Sequence, residues 1–349
     1  MKFKKIVALS LTMVMSVGLL VGCGSNKDTA SEGTSSDDKV KIGMITDVGG
    51  INDESFNQSS WEGLQNVQKE LGEDKVEVKV LESRQDADYD SNIDQFIDQE
   101  MDLIIGVGYK LEKAIGKAAE AYPDQQFAIV DFAYEKQPEN VTSLLFEDNA
   151  SAYLTGLIAG KMTKTDKVGF IGGMEGVVIS KFENGFKAGV KDANPNAKVS
   201  VQYANSFTDQ ALGKSIANQM IKNGVDVVFP AAGAVGIGAI EAVKENDKMA
   251  IGVDRDQNSL APDHVITSAM KNIDVAVGNL AKSFVDGSYK PGEVIIGSLA
   301  TGGVGIAPTS DKNVPADVLE YVESKTKEIV DGKIKVPATE EEYKELYEK

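Results

Sequence analysis

The chain is short of the residues that carry most nucleophilic and metal chemistry. Its 349 residues include one cysteine and one histidine. A single thiol excludes a disulfide framework, and one cysteine with one histidine excludes a Cys/His zinc centre. Arginine is almost absent, with Arg84 and Arg255 the two in the chain. Acidic residues outnumber basic ones by 54 to 36, a formal charge of −18, which argues against a nucleic-acid binder because phosphate contacts need a basic surface. What remains is globular. At 42% hydrophobic, with 34 glycines, the chain has ample core material and a length that favours two domains.

The start of the chain reads as an address. Lys2, Lys4 and Lys5 precede an apolar run from Ile6 to Val21, which is near the lower limit for a membrane span and closes on small residues, as a secretory signal does. The closing Leu20-Val21-Gly22-Cys23 resembles the bacterial lipobox, in which the cysteine is acylated and becomes the new N-terminus. The expectation is a signal peptide over residues 1–22, a palmitate-type anchor on Cys23, and a polar flexible tether over residues 23–38. Each buried CH₂ of an acyl chain contributes roughly 0.8 kcal/mol, so several chains hold a soluble body at the outer face of the cell membrane.

From Val40 onward short β-rich runs alternate with helical stripes. KVKIGMIT precedes a helix with Trp61, Leu64, Val67 and Leu71 on one face, and VEVKVL, LIIGV and FAIVDF follow in the same rhythm. A helix is expected from Lys110 to Ala121, stopped by Pro123. After Val141–Phe146 the pattern restarts with KVGFIGG, VSVQYA, DVVFPAA, MAIGVD and HVITSAM. Strands separated by helices imply parallel sheets covered on both faces, here two of them. The segment from Pro337 reads as a charged helix or a frayed end, solvated in either case.

In open α/β sheets ligands sit beyond the carboxyl ends of the strands, which selects the residues to inspect. Asp47, Asp131 and Asp254 each close a strand, and aromatics stand in the loops of both halves. Asp53 or Ser55 suits the cap of the first helix, and Phe56 suits either a staple onto that helix or a stacking platform. Tyr109 and Met174 are further candidates for the cleft, while Arg84 and Arg255 suit ion pairing or ligand contact. Together these residues fit a flat apolar ring with neighbouring hydroxyls, since carboxylates accept hydrogen bonds from diols and rings stack on aromatics.

The lipobox, DVGGINDESFNQSSWEG, NASAYLTGLIAG, KVGFIGGMEG with KFENGFKAGV, and GVDRDQ together resemble the basic membrane protein family, the PnrA-like solute-binding components of nucleoside ABC importers. The resemblance covers essentially the whole chain after the tether. It implies an α/β type I periplasmic-binding-protein fold, two Rossmann-like lobes with parallel sheets joined by three crossovers. The crossovers place lobe one at residues 39–146 and 273–298, lobe two at residues 147–272 and 299–338, and the charged tail at residues 339–349. By the same resemblance, Asp47 and Asp131 hold a purine base edge, Phe56 stacks on it, and Asn57 joins the ligand-binding set. Asp254 and Lys271 hold the ribose, and Gly233 approaches through its backbone. Phe207 is the choice for the second stacking ring, with Phe182 and Phe229 as alternatives. The implied partners are a purine nucleoside (adenosine, guanosine or inosine) and the permease of an importer, with the chain itself a monomer.

Charge separates nucleoside from nucleotide. Asp47, Asp53, Asp131 and Asp254 against Lys271 would repel a phosphate, although Gly49-Gly50 and Gly172-Gly173 open onto helix N-termini that suit anions. Three rival readings stand beside this one. A sugar or other small-solute receptor uses the same fold, a sensory or regulatory lipoprotein differs only in what its closed form touches, and a nucleoside hydrolase needs an acid–base pair. No metal cluster, cofactor motif or activated nucleophile supports catalysis, so no catalytic residue is expected.

Overall fold

The computed structural model describes residues 39–348, so the expected signal peptide, the expected anchor at Cys23 and the expected tether lie outside the described residues. The first lobe begins with β1 (Val40–Thr46), α1 (Phe56–Leu71), β2 (Val76–Leu81), α2 (Asp88–Asp98), β3 (Leu103–Val107), α3 (Glu112–Ala121), β4 (Gln126–Val130) and β5 (Val141–Phe146). Strand β3 is apolar and buried throughout, and β4 is so after its first residue, Gln126, as parallel strands covered on both faces must be. The helix expected from Lys110 opens instead with a 3₁₀ turn over Tyr109–Leu111.

The chain then crosses to the second lobe through α4 (Asp148–Met162), β6 (Lys167–Gly172), α5 (Val177–Ala193), β7 (Lys198–Tyr203), α6 (Gln210–Lys222), β8 (Val227–Ala231), α7 (Ala234–Glu245), β9 (Met249–Asp254) and β10 (Val265–Lys271). It returns through α8 (Ile273–Val285) and β11 (Val294–Gly297), and crosses a third time to β12 (Val304–Ile306), α9 (Ala316–Val330) and α10 (Glu340–Tyr347). Two six-stranded sheets result, in the orders β11-β5-β4-β3-β1-β2 and β12-β10-β9-β8-β6-β7.

Helix α4 is buried around its circumference, so it needs a neighbour at backbone distance on one side. Glycines allow it. A Cβ on Gly156 would stand 2.4 Å from the Phe186 carbonyl, and one on Gly189 2.0 Å from the Tyr153 carbonyl, so α4 and α5 touch through their main chains. The crossovers are laced together as well. Glu147 donates its N–H to the Gly297 carbonyl at 2.9 Å, and Asn272 donates to Gly303 at 2.9 Å.

Three sequence expectations need correction. Strand β11 was not anticipated, because VIIG is too short to show a period and lies on a sheet edge. Strand β12 was also missed and pairs antiparallel with β10, so the second sheet is parallel only up to its last strand. The segment after Pro337 forms the charged helix that was one of its two expected states, and what needs correction is its free solvation. Helix α10 docks on the second lobe, where Tyr343 and Tyr347 stack at 5.2 Å and the Tyr347 hydroxyl donates to Asp192 at 3.0 Å. Its charged residues hid two aromatics spaced one helical turn apart.

Candidate functional site

Between the carboxyl ends of the two sheets lies a cavity lined by residues of both halves. All eight expected ligand-binding residues line it: Asp47, Phe56, Asn57, Asp131, Phe207, Gly233, Asp254 and Lys271. Tyr109 lines it too. Of the alternatives for the second ring, Phe182 reaches the cavity, whereas Phe229 is fully buried in the aromatic core of the second lobe, 5.1 Å from Phe186. Met174 is absent from the lining, and Arg84 is exposed on the surface.

The loop after β1 organises the first lobe's contribution. Asp53, rather than the Ser55 side chain, caps α1: its carboxylate accepts from the N–H groups of Ser55, Asn57 and Gln58 at 2.8–3.1 Å. Asn57 donates through Nδ2 to Asp47 Oδ1 at 2.8 Å and to Asp53 Oδ2 at 3.0 Å. Asp47 Oδ1 also accepts from Gly49 N at 2.8 Å. Burial nevertheless pushes the Asp47 carboxyl up to about 6, against the Gly49 and Asn57 donors that favour its charged form. Burial likewise raises Asp53.

Asp131 and Asp254 occupy matching places at the ends of β4 and β9, and both adopt left-handed backbone, with φ of 69° and 65°. Aspartate tolerates that region better than most side chains, and a kinked strand end turns the carboxylate out of the sheet. Burial drives Asp254 up to about 7, opposed by Lys271 and by the hydroxyl of Ser55, which donates to it across the cleft.

Lys271 ends β10 and is 1% exposed. Its ammonium meets Asp131 Oδ2 at 2.6 Å and Asp148 Oδ1 at 3.1 Å, and lies 5.2 Å from the Phe56 ring centre and 5.0 Å from that of Phe146. Burial alone would favour the neutral amine. Asp131, Asp148 and Asp254 together outweigh it and hold the pKa above that of an ordinary lysine. Among the described residues Lys271 is the one basic side chain lining the cavity.

Sequence reasoning missed Asp148. In the sequence it is an acidic residue in the first turn of α4, indistinguishable from an ordinary dipole partner. In the fold it is 1% exposed, and burial raises it to about 6 although Lys271 and Lys181 stand beside it. Val178 and Ile179, at the start of α5, were also missed as lining residues, since apolar residues at a helix start carry no signal of a cavity.

The lobes meet along one rim. Arg255 reaches Glu62 at 3.2 Å and Glu54 at 3.8 Å, and Gln257 Nε2 donates to the Glu54 carbonyl at 2.8 Å. Of the two roles open to Arg255 from sequence, the structure shows the ion pair across the lobes.

Two sheets facing each other across a cleft, joined at the back by three crossovers and armed at their carboxyl ends, define a two-lobed solute-binding protein. The chain belongs to the PnrA-like family of ABC transporter substrate-binding proteins, whose family model matches residues 39–340. It is 42% identical to a CD4+ T-cell-stimulating antigen of Listeria innocua, over 96% of this chain and 99% of that protein. It is 38% identical to the ABC transporter nucleoside-binding protein BmpA of Lactococcus lactis, over 96% and 99% of the two chains. A crystal structure of an ABC transporter solute-binding protein from Aeropyrum pernix superimposes with a TM-score of 0.81 at 28% identity, covering 88% of this chain and 96% of the other.

Proposed function

We propose that the chain captures a purine nucleoside between its lobes and delivers it to the permease of an ABC importer. The observation that carries this reading is the make-up of the cavity wall. Phe56 comes from one lobe and Phe207 from the other, and four carboxylates, Asp47, Asp53, Asp131 and Asp254, stand around them with Asn57 and Lys271. A flat heterocycle suits the rings, and hydroxyl and N–H donors suit the acids. Asp47 and Asn57 read the base edge, with Asp131 contributing the oxygen that Lys271 leaves. Asp254 and Lys271 grip the ribose, and Gly233, at φ 56°, lets its backbone approach. Phosphate is repelled by the acidic excess. The nucleoside-binding relative from Lactococcus lactis supports the same ligand class.

On this reading the lobes, residues 39–146 with 273–298 and residues 147–272 with 299–338, hinge at the crossovers and close on ligand as a monomer that catalyses nothing. Acylated Cys23 tethers the body to the outer face of the membrane. Among the described residues no helix is long and apolar enough to cross one. Calorimetry with purine nucleosides, pyrimidine nucleosides, free ribose and purine monophosphates, followed in parallel by Trp61 emission, tests the reading. Purine nucleosides are expected to bind and their monophosphates to bind far more weakly. Equal affinities for the two, or preference for free sugar, would overturn it.

A further inference from the structure

The orientation of the Asn57 amide carries the nucleoside reading one step further, to which base is preferred. Both of its N–H bonds point at carboxylates, Asp47 Oδ1 and Asp53 Oδ2. Flipping the amide would set its oxygen against two acids, so the orientation is settled by charge. The amide oxygen is thereby left without a hydrogen-bond partner among the described residues, although Asn57 is only 2% exposed and lines the cavity. Asp47 is similar. Its Oδ1 is engaged by Gly49 and Asn57, while its Oδ2, beside Gly108, accepts no hydrogen bond among the described residues. The Gly49 N–H and the Asn57 amide hydrogens are already taken, and the three N–H groups of the α1 start are taken by Asp53. This end of the cavity therefore presents acceptors.

We propose that the Asp47–Asn57 end selects a base with two adjacent N–H donors on its edge, so that guanosine is preferred to inosine and inosine to adenosine. Guanine offers N1–H and the 2-amino group side by side, one for Asp47 Oδ2 and the other for Asn57 Oδ1. Hypoxanthine keeps N1–H alone. Adenine turns the N1 lone pair toward Asp47, which leaves acceptor facing acceptor. Cytosine has the same fault at N3. A buried acceptor without its donor costs about 1–3 kcal/mol, so the step from guanosine to adenosine is expected to be roughly tenfold or more in dissociation constant.

The test is a calorimetric ladder on the full wild-type chain with guanosine, inosine, adenosine and 1-methylguanosine. The methylated ligand keeps the ring but loses the N1 donor and is expected to fall to the level of adenosine or below. Adenosine binding as tightly as guanosine, or 1-methylguanosine unchanged from guanosine, overturns the proposal while leaving the nucleoside reading intact. Failure of every nucleoside to bind sinks both. Asp47→Asn adds a second arm: its oxygen must keep accepting from Gly49 and Asn57, so the new amide nitrogen takes the Oδ2 place and offers a donor to the C2 carbonyl of xanthosine. The xanthosine-to-guanosine affinity ratio is expected to rise about tenfold in the variant, and an unchanged ratio removes Asp47 from the base edge.

Discussion

The two lobes share an architecture yet bring different chemistry to the cleft. The first lobe lines the cavity with Asp47, Asp53, Asn57 and Asp131, largely organised by the capped start of α1, and adds the rings of Phe56 and Tyr109. The second lobe lines it mostly with Val178, Ile179, Phe182, Phe207, Ala231 and Ala232, an apolar slab, and adds Asp254 and Lys271 at its strand ends. One half carries most of the polar groups and the other most of the apolar wall. Neither face is a complete site, because the acids need the low-dielectric wall opposite them for their hydrogen bonds to matter.

The largest break in this division should come at Lys271, where the lobes exchange charge. Lys271→Met removes the cation from two buried acids and is expected to cost about 3–5 kcal/mol in chemical denaturation, together with loss of ligand binding. Asp148→Asn keeps the shape and separates the roles. It should lower the titration midpoint of Lys271, observed by NMR, before it alters the fold.

The next effect sets ring against ring within the second lobe. Phe207→Ala should weaken nucleoside binding by about 1–3 kcal/mol with little change in melting temperature. Phe229→Ala should do the reverse, losing about 3–5 kcal/mol of stability from a core position. If Phe229→Ala abolishes binding in a fully folded protein while Phe207→Ala leaves it intact, the aromatic assignment fails.

Proton uptake sharpens the polar side. Asp47 and Asp148 stand at about 6 and Asp254 at about 7, all raised by burial above the ordinary 3.8. Between pH ~4 and ~7 the folded protein therefore holds more protons than the unfolded chain at these positions. Their contribution makes the empty protein more stable as pH falls through that window, opposite in sign to a paired surface acid such as Glu77, whose pKa is lowered chiefly by its hydrogen bond from Lys79. A ligand that donates to Asp47 and Asp254 needs them ionised. Binding at pH ~6.5 should release on the order of one proton, visible as a buffer-dependent calorimetric enthalpy. Enthalpies identical across buffers would mean that neither acid contacts the ligand.

The smallest effect lies on the rim. Arg255 and its partners are partly exposed, so Arg255→Ala should change stability by only about 0.2–1 kcal/mol. It should speed ligand release, read as a faster off-rate by stopped-flow emission of Trp61, whose neighbour Glu62 takes the ion pair.

Much of the site was legible because strand ends announce themselves. A run such as MAIGVD shows both its burial and the polar residue that closes it, and the same holds for Asp47 and Asp131. Phe207 and Phe229 illustrate the limit. Both are aromatics near second-lobe strands, but Phe207 stands in the loop after β7 and reaches the cavity, whereas Phe229 lies within β8 and faces the core. Asp148 was unreadable for a related reason: an acid at a helix start is common, and its buried lysine partner lies 123 residues further on.

By itself, the sequence determined the order of strands and helices, the acidic and aromatic residues at strand ends, and membership of a family, because hydrophobic period and local turn chemistry are written in neighbouring residues. Tertiary structure alone decided which oxygens are free, how far burial lifts Asp47, Asp148 and Asp254, where β11, β12 and α10 dock, and that Arg255 spans the lobes. Those properties depend on solvent exclusion and on partners distant in the chain, and both come into being only when the two sheets face each other.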